Sequence, residues 1–377
     1  MFYIHKKKEN IKKIYEYDRI LVFVVFLILL FGLISLSSAS AIIAYNESGD
    51  PYHYFKHQLI GLFLGIISFI IFSKINYHFW KKYAIGFLFF SIILLLLVFI
   101  PGLSANYGKA RSWINIFGFS LQPSEFVKLS FLLYLAAWLE IRKKELHDYS
   151  RGIGPFVVIL GLIGILMLLQ PDTGTLSIIG LSSLIVYFVG GGKIKHIIII
   201  LFVGLICFSF MVFLKPYQLN RFKCVLNSDF SRQKICYQTN QALIAIGSGG
   251  ILGRGLGESR QKYMYLPEVN GDSIFAIIAE EAGLIVCILL IFLYLILFYR
   301  GYIIAKNIKD DFGRNLAIGI VSWITFQTII NISGMVNIMP MTGVPLPLIS
   351  YGGSSMLTTL TAIGILVNIS KYSKYEK

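Results

Sequence analysis

The chain has 377 residues, of which 56% are hydrophobic and only 14% are charged. A soluble domain of this length could not bury so much apolar surface, so the composition excludes an ordinary soluble enzyme and predicts a polytopic membrane protein. The formal net charge is +15. Because the basic residues follow the ends of the apolar runs, this charge indicates membrane topology rather than nucleic-acid binding.

The apolar runs predict a bundle of transmembrane helices. Residues 1–19 form a basic tail, and the run that follows exceeds the apolar core of a signal peptide and lacks a convincing cleavage site. Each run is long enough to cross about 30 Å of hydrocarbon at roughly 1.5 Å per residue. The runs lie at 20–44, 57–73, 83–100, 124–140, 153–169, 174–190, 194–214, 273–299, 313–337 and 351–370. We therefore predict an all-α bundle of ten transmembrane helices in one membrane domain over 20–370, with a short tail at 371–377.

The distribution of Lys and Arg predicts the orientation of these helices. Both tails and alternate connections between the runs hold most of the 34 Lys and Arg residues, whereas the short connections on the other side hold few. Under the positive-inside rule, both termini lie in the cytoplasm. One long polar loop, 215–272 between the seventh and eighth helices, then lies outside, together with the connections at 101–122, 170–173 and 338–350.

The first candidate feature on the outer side is the start of the fourth run. Gln122 and Pro123 precede Glu125 and Lys128, which lie three residues apart and share one face of a helix. Glu125 could simply cap the helix while Lys128 extends to the membrane surface. The alternative is a charged pair facing a polar cavity, because ionisable groups inside a span usually face the interior of a bundle. Arg111, just upstream, could be an interfacial anchor or part of the same site.

Acidic residues mark two further positions. Asp172 lies in the tight turn QPDTGT and suits the cap of the next helix, with a role in a cavity as the alternative. Asp272 follows an Asn-Gly turn signal, where a helix N-cap is expected. Glu280 and a second carboxylate follow inside the same span, and packing alone explains such a pair poorly. Capping and a chemical role both remain open for Asp272.

The last outer feature, MPMTGVPLPLISYGGSS, breaks a regular helix. Pro347 and two other prolines interrupt the pattern, and Gly352 and Gly353 permit close approach of the backbone. An irregular segment at membrane depth must be buried in protein or line a wet cavity. Ser350, Tyr351, Ser354 and Ser355 could supply hydroxyl groups there.

The long outer loop contains two further motifs. GSGGILGRGLG does not match a nucleotide-binding loop, since no strand precedes it and it lies on the side without ATP, so we expect a flexible loop. Cys224 and Cys236 share the same loop. They could pair if the loop faces an oxidising compartment, and free thiols are the alternative.

Taken in order, these motifs resemble those of the SEDS family (shape, elongation, division and sporulation), the bacterial FtsW and RodA proteins. The resemblance covers residues 18–368. It rests on Arg111-Ser112-Trp113-Ile114-Asn115, Gln122-Pro123-Ser124-Glu125, Gln170-Pro171-Asp172, the GSGG…GRGLGES…LPE run and the closing PLPLISYGGSS. Family members commonly read LPE-x-His-Thr-Asp-Phe around the aspartate, whereas this chain reads LPEVNGDS. The contacts next to the aspartate are therefore expected to differ.

The resemblance implies a peptidoglycan glycosyltransferase that polymerises lipid II on the outer face of the bacterial cytoplasmic membrane. Its implied partners are a class B penicillin-binding protein and other divisome proteins. The family's essential aspartate matches Asp272, and its cavity pair matches Glu125 and Lys128. The stretches SSASAIIAYNESGDPYHYFKHQ and SRQKY followed by YLPE look more like the division branch than the elongation branch, which predicts a location at the septum.

On this interpretation Asp272 is the general base for the acceptor sugar hydroxyl, and cations stabilise the departing lipid pyrophosphate. The candidate substrate-binding residues are Arg111, Lys128, Glu125, Gln122, Ser350, Tyr351 and Ser354. The candidate supporting residues are Asp172, Glu280, Pro347, Gly352 and Gly353. A divalent cation (Mg or Mn) held partly by Asp272 or Glu125 is a further hypothesis, and no organic cofactor is expected. A lipid II flippase and a scaffold that only recruits a transpeptidase are the alternatives, since intramembrane charges and a broken helix also suit a transporter.

Overall fold

The computed structural model describes residues 16–102, 104–107, 110–116, 119–146, 148, 152–214, 216–226 and 234–373. The helices in this part of the chain are α1 (Arg19–Ser48), α2 (His53–Lys74), α3 (Tyr77–Leu97), α4 (Pro123–Ile141), α5 (Gly154–Leu169), α6 (Thr173–Val189), α7 (Ile194–Leu214), α8 (Pro216–Leu226), α9 (Tyr237–Gly249), α10 (Ile274–Asn307), α11 (Asp311–Met335) and α12 (Gly353–Ser370). All except α8 and α9 coincide with the predicted apolar runs.

Length and composition identify the helices that can cross a membrane. Within the described residues, six are long and apolar enough, namely α1, α2, α3, α10, α11 and α12. Helices α5, α6 and α7 contribute shorter apolar stretches, and α4 carries Glu125, Lys128 and Glu140 within its 19 residues. The prediction of a polytopic helical membrane protein is confirmed.

A small antiparallel sheet, which the all-α prediction missed, lies between α3 and α4. Its strands β1 (Ser104–Tyr107), β2 (Ala110–Ile116) and β3 (Phe119–Leu121) pair in sequence order. Ser112 and Ile114 are buried while Asn115 is exposed, the alternation of a strand with one covered face. The Ser112 hydroxyl donates to the carbonyl of Gln170 at 3.0 Å. The sheet is therefore fastened to the turn between α5 and α6.

The described residues of the long polar loop at 215–272 include helical structure. This loop contains α8 and α9, which a disulfide between Cys224 and Cys236 joins with a Cα–Cα distance of 5.5 Å. The free-thiol alternative for these two cysteines is therefore wrong.

Helix α10 is interrupted at Gly283, whose φ of 76° lies in the left-handed region that favours glycine. The glycine-rich loop after α9 inserts at this break. The N–H of Leu284 donates to the carbonyl of Gly250, and the N–H of Arg254 donates to the carbonyl of Glu280, both at 3.0 Å. The prediction of a flexible loop was wrong, because this loop supplies hydrogen bonds that the broken helix cannot form within itself.

Helices α2 and α12 approach closely because glycines face each other. A Cβ atom at Gly61 would lie 2.8 Å from the Cα atom of Gly353, so this interface leaves no room for a side chain at Gly61. Most residues of α12 are buried. The close backbone approach predicted for Gly353 is present.

We expect Gly61→Ala to destabilise the protein by about 1–3 kcal/mol, because the added methyl group overpacks the interface. Thermal unfolding of the detergent-solubilised protein measures this effect. The matched control is Gly86→Ala on α3, where an added Cβ meets nothing within 4 Å. That substitution should be neutral or stabilising by up to about 1 kcal/mol, since Ala has the higher helix propensity. Equal effects at both positions would contradict the packing argument.

Candidate active site

Asp272 lies just before the start of α10 at Ile274. The N-cap position belongs to Ser273, so helix capping does not explain Asp272. Its Oδ1 accepts hydrogen bonds from the Gln238 amide and the Ser273 hydroxyl, both at 3.4 Å. Its backbone carbonyl accepts from the Asn331 amide at 2.8 Å. Groups on α9 and α11 therefore fix the aspartate just before the start of α10.

The environment of the Asp272 carboxyl group favours its protonated form. Burial among protein atoms, with a smaller contribution from the nearby Glu268 carboxylate, raises the pKa of Asp272 to about 7. The Arg221 guanidinium opposes this rise in pKa. Burial also raises the pKa of Glu268, and Glu47 adds to that effect. A carboxyl group with a pKa near neutral pH is suited to general base catalysis.

Glu125 and Lys128 form a buried ion pair on α4, with an Oε1–Nζ distance of 2.8 Å and 1% exposure for each side chain. Lys128 also donates to Oε1 of Gln327 at 2.8 Å, and its Nζ lies 4.8 Å from the ring centre of Trp323. Glu125 Oε2 accepts from the Thr358 hydroxyl at 3.3 Å. The alternative in which Lys128 extends to the membrane surface is wrong, because the pair is enclosed between α4, α11 and α12.

Helix α11 links the buried ion pair to Asp272. The Gln327 amide donates to the carbonyl of Pro345 at 2.9 Å. One turn further along, the Asn331 amide donates to the carbonyl of Val344 at 2.9 Å, in addition to its bond to Asp272. Residues four apart share one face of a helix. The two charged positions are therefore connected through these amides and the backbone at 344–345, rather than by direct contact.

Asp172 caps α6, as one of the two alternatives predicted. Its Oδ1 accepts from the N–H of Thr175 at 3.2 Å. Asp172 also interacts electrostatically with Lys128, and its Oδ2 has no hydrogen-bond partner among the described residues. This carboxylate combines a capping role with a position near the buried ion pair.

The broken segment before α12 forms a buried, internally bonded turn. Gln58 on α2 donates to the carbonyl of Ser350 and accepts from the N–H of Gly352, both at 3.1 Å. The Ser350 hydroxyl accepts a backbone N–H from the same turn at 2.8 Å. The Tyr294 hydroxyl donates to the carbonyl of Pro347 at 2.5 Å. Ser350, Pro347 and Gly352 therefore shape this segment through their contacts within the protein.

Three predicted residues lie where this segment meets the outer loops. The N–H of Tyr351 donates to the carbonyl of Asn270 at 2.8 Å, which ties the segment to the loop that leads into α10. The N–H of Gln122 donates to the Ser354 hydroxyl at 3.2 Å. Arg111 lies on β2, and its side chain falls outside the described part of the chain.

Glu280 and Glu281 hold the glycine-rich loop. Glu280 accepts from the Ser259 hydroxyl at 2.5 Å and from the N–H of Arg260 at 3.0 Å. Glu281 forms a buried ion pair with Lys262 at 2.8 Å. These contacts correct the expectation that packing cannot explain two carboxylates here, and they direct Glu280 to the loop.

A divalent cation held partly by Asp272 or Glu125 stays a prediction. No group of three or more His, Cys, Asp or Glu side chains in this part of the chain is arranged to bind a metal ion. Both carboxylate oxygens of Glu125 already accept hydrogen bonds, from Lys128 and Thr358. The mechanism below therefore includes no step at a metal.

Sequence reasoning missed three amides that hold the site, Gln238, Gln327 and Asn331. A signal for two of them was present, since Gln327 and Asn331 are polar residues four apart in an apolar span and so mark one face directed at polar partners. Gln238 gave no such signal, because its helix is embedded in a long polar loop.

Comparison with known proteins identifies the family. A family model described as "Cell cycle protein", for FtsW, RodA and SpoVE, matches residues 18–375. The chain belongs to this family. Within the FtsW/RodA/SpoVE family, stage V sporulation protein E of Bacillus subtilis is 37% identical over 95% of this chain and 98% of that protein. A probable peptidoglycan glycosyltransferase FtsW of Trichlorobacter lovleyi is also 37% identical, over 94% of this chain and 93% of that protein.

Solved structures of this family share the fold. Rod shape determining protein RodA of Thermus thermophilus has a TM-score of 0.70 at 26% identity, covering 95% of this chain and 98% of that chain. A chain from a peptidoglycan synthase complex that coordinates polymerization and crosslinking has a TM-score of 0.76 at 26% identity, covering 95% of this chain and 99% of that chain. The FtsW/RodA/SpoVE fold therefore extends over nearly the whole chain.

Proposed function

We propose that this protein is a peptidoglycan glycosyltransferase that polymerises lipid II at the outer face of the cytoplasmic membrane. The observation that carries the proposal is Asp272, a carboxyl group with a pKa of about 7 that α9 and α11 hold just before the start of α10. Relatives that are 37% and 35% identical over nearly their full length are named probable peptidoglycan glycosyltransferases. Both lines support the same activity.

The proposed topology has ten membrane spans, with both termini in the cytoplasm and the Asp272 end of α10 outside. Its support comes from the helices that coincide with the apolar runs and from the distribution of Lys and Arg. The disulfide between Cys224 and Cys236 adds to this support, because disulfides persist in oxidising compartments and are rare in the cytosol.

In the proposed mechanism, Asp272 accepts the proton of the attacking sugar hydroxyl on the acceptor lipid II. That oxygen bonds to the anomeric carbon of the donor, and the bond to the lipid pyrophosphate breaks with inversion. The pyrophosphate leaves with the electron pair, so cations stabilise it. Arg111 and Arg221 are the proposed cations, the second because it interacts electrostatically with Asp272. Lys128 acts as a positioning residue, because Glu125 and Gln327 already engage its ammonium group.

The proposed partner is a class B penicillin-binding protein, and the proposed location is the division septum. The structural relative from a complex that coordinates polymerization with crosslinking supports a partner of this type. Several relatives named FtsW support the division branch.

Deletion of this protein should therefore block septal rather than lateral incorporation of cell-wall precursors, which fluorescent labelling of new peptidoglycan measures.

An assay with purified protein and lipid II separates the proposed enzyme from the two alternatives. A glycosyltransferase forms glycan polymer from lipid II in detergent, where there is no membrane across which lipid II could be transported. A flippase instead moves lipid II across a proteoliposome membrane without forming polymer, and a scaffold does neither. We expect polymer from the protein alone or with its transpeptidase partner. Translocation of lipid II in proteoliposomes, with no polymer formed by the protein either alone or with its partner, would refute the proposal.

The raised pKa predicts how turnover depends on pH. Asp272 must be deprotonated to accept a proton, so kcat should fall on the acidic side of pH about 7 and by about tenfold per unit well below it. Polymerisation rates at saturating lipid II across this range measure the effect. Glu268→Gln removes the neighbouring negative charge and should move the acid limb to lower pH. A flat acid limb in the wild type would exclude this carboxyl group as the base.

A further inference from the structure

The Cys224–Cys236 disulfide joins the two helices that flank the candidate base. Cys224 lies near the end of α8 and Cys236 occupies the N-cap of α9. Both cysteines are buried, with 3% and 0% exposure. The bond therefore fixes the end of one short helix to the start of the other, whatever path the chain takes between them.

Each of these helices contacts the surroundings of Asp272. On α9, Gln238 lies two residues after the disulfide and donates to Asp272 Oδ1 at 3.4 Å and to the Ser273 hydroxyl at 3.1 Å. On α8, Arg221 lies three residues before Cys224 and donates to the carbonyl of Met341 at 2.6 Å. Arg221 also interacts electrostatically with Asp272, so both helices that the disulfide joins have a residue that interacts with this carboxyl group.

Helix α8 is short and needs a link to the rest of the protein to hold its position. It has 11 residues, and helices shorter than about 12–15 residues are marginal by themselves. Its ties to the rest of the chain include the Arg221 bond and a 3.4 Å bond from the Asn337 amide to the carbonyl of Cys224. A covalent link to α9 adds a constraint that such polar contacts do not provide.

We infer that the Cys224–Cys236 disulfide is a positioning element for the glycosyltransfer site, which acts by holding Gln238 against Asp272. This inference rests on the proposed function. It assigns a catalytic consequence to a pair of cysteines that the mechanism does not otherwise use. It also implies that full activity requires oxidation of this pair, which takes place only outside the cytoplasm.

A double-mutant cycle on lipid II polymerisation tests this inference. We expect Cys224→Ser/Cys236→Ser to lower kcat about three- to tenfold, the range of one hydrogen bond, with little change in KM. Gln238→Ala should cause a similar loss. Because both changes remove the same contact, the triple variant should be no worse than Gln238→Ala. Losses that multiply would show that the disulfide does not act through Gln238, and an unchanged kcat in the cysteine variant would overturn the inference outright.

Reduction of the folded wild-type protein covers the case in which the cysteine variant does not fold. A phosphine reductant converts the disulfide to two thiols and is itself oxidised, and it should reproduce the loss of kcat while the protein remains monodisperse. Cys207→Ser removes an exposed free cysteine and is the matched control. This variant should have the activity of the wild type and should lose activity on reduction as the wild type does. Alkylation of Cys224 or Cys236 before any reduction would show free thiols and would refute the inference. Absence of polymer from the untreated wild type would instead refute the proposed function.

Discussion

Asp272→Asn is expected to lower the rate of lipid II polymerisation by about 10²–10⁴-fold, the usual contribution of a well-placed general base. Asn has nearly the same shape as Asp but cannot accept the proton. Burial raises the pKa of this group from 3.8 to about 7 in the folded protein, so its ionisation costs stability increasingly as pH rises between these two values, and the full cost is present above pH about 7. The uncharged substitute should therefore leave thermal stability unchanged or slightly higher.

Single-turnover assays with labelled lipid II, alongside thermal unfolding, separate loss of chemistry from loss of structure. Asp50→Asn is the matched control, because Asp50 pairs with Lys56 on the surface between α1 and α2. That substitution makes the same chemical change and should retain wild-type turnover. A folded Asp272→Asn protein with near wild-type turnover would remove Asp272 from its proposed role.

Lys128→Met should have the largest effect on stability, a loss of about 3–5 kcal/mol. Both members of the Glu125–Lys128 pair are 1% exposed, so removing the ammonium group leaves an uncompensated buried carboxylate. Replacing Glu125 by Leu in the same protein should recover at least half of this loss, since an apolar pair of similar volume has no charge to desolvate. Temperature-dependent loss of monodispersity in detergent measures both effects.

Activity in the double variant distinguishes a positioning role from a purely structural one. The Gln327 amide group bridges Lys128 and the carbonyl of Pro345, so turnover should stay at least about tenfold low even where stability returns. The control is Lys143→Met, which breaks an exposed ion pair with Asp311 and should cost less than about 1 kcal/mol. Wild-type turnover in the stable double variant would show that the pair contributes to folding alone.

The positions of the apolar helices were predictable because their signals are local. A continuous apolar run identifies a membrane helix from its own residues, and each predicted run coincides with a helix. Asp272 was singled out because the span that follows it carries two further carboxylates and because it matches the essential aspartate of the family that the sequence resembles. The small sheet before α4 was not predicted, because its strands have only four, seven and three residues and give too short a pattern to identify.

Contacts between distant parts of the chain could not be predicted. The Gln327 amide meets Lys128 across 199 positions of sequence, and Glu281 meets Ser38 across 243. The glycine-rich stretch looked flexible because nothing near it in sequence showed that a helix would break at Gly283 and receive it. In each case the partner of a polar group is set by how the helices pack, which one sequence does not specify.

The insertion of the glycine-rich loop at Gly283 limits where a lipid-linked molecule can enter the bundle. Gly283 lies roughly 13 Å from the start of α10 at 1.5 Å per residue, so on the proposed topology the irregular backbone would reach the depth of the hydrocarbon. Peeling this loop away would expose unpaired N–H and C=O groups to acyl chains, at a cost of several kcal/mol for each group. On the proposed topology, we therefore expect the loop to stay packed against α10 and a lipid tail to enter the bundle between other helices.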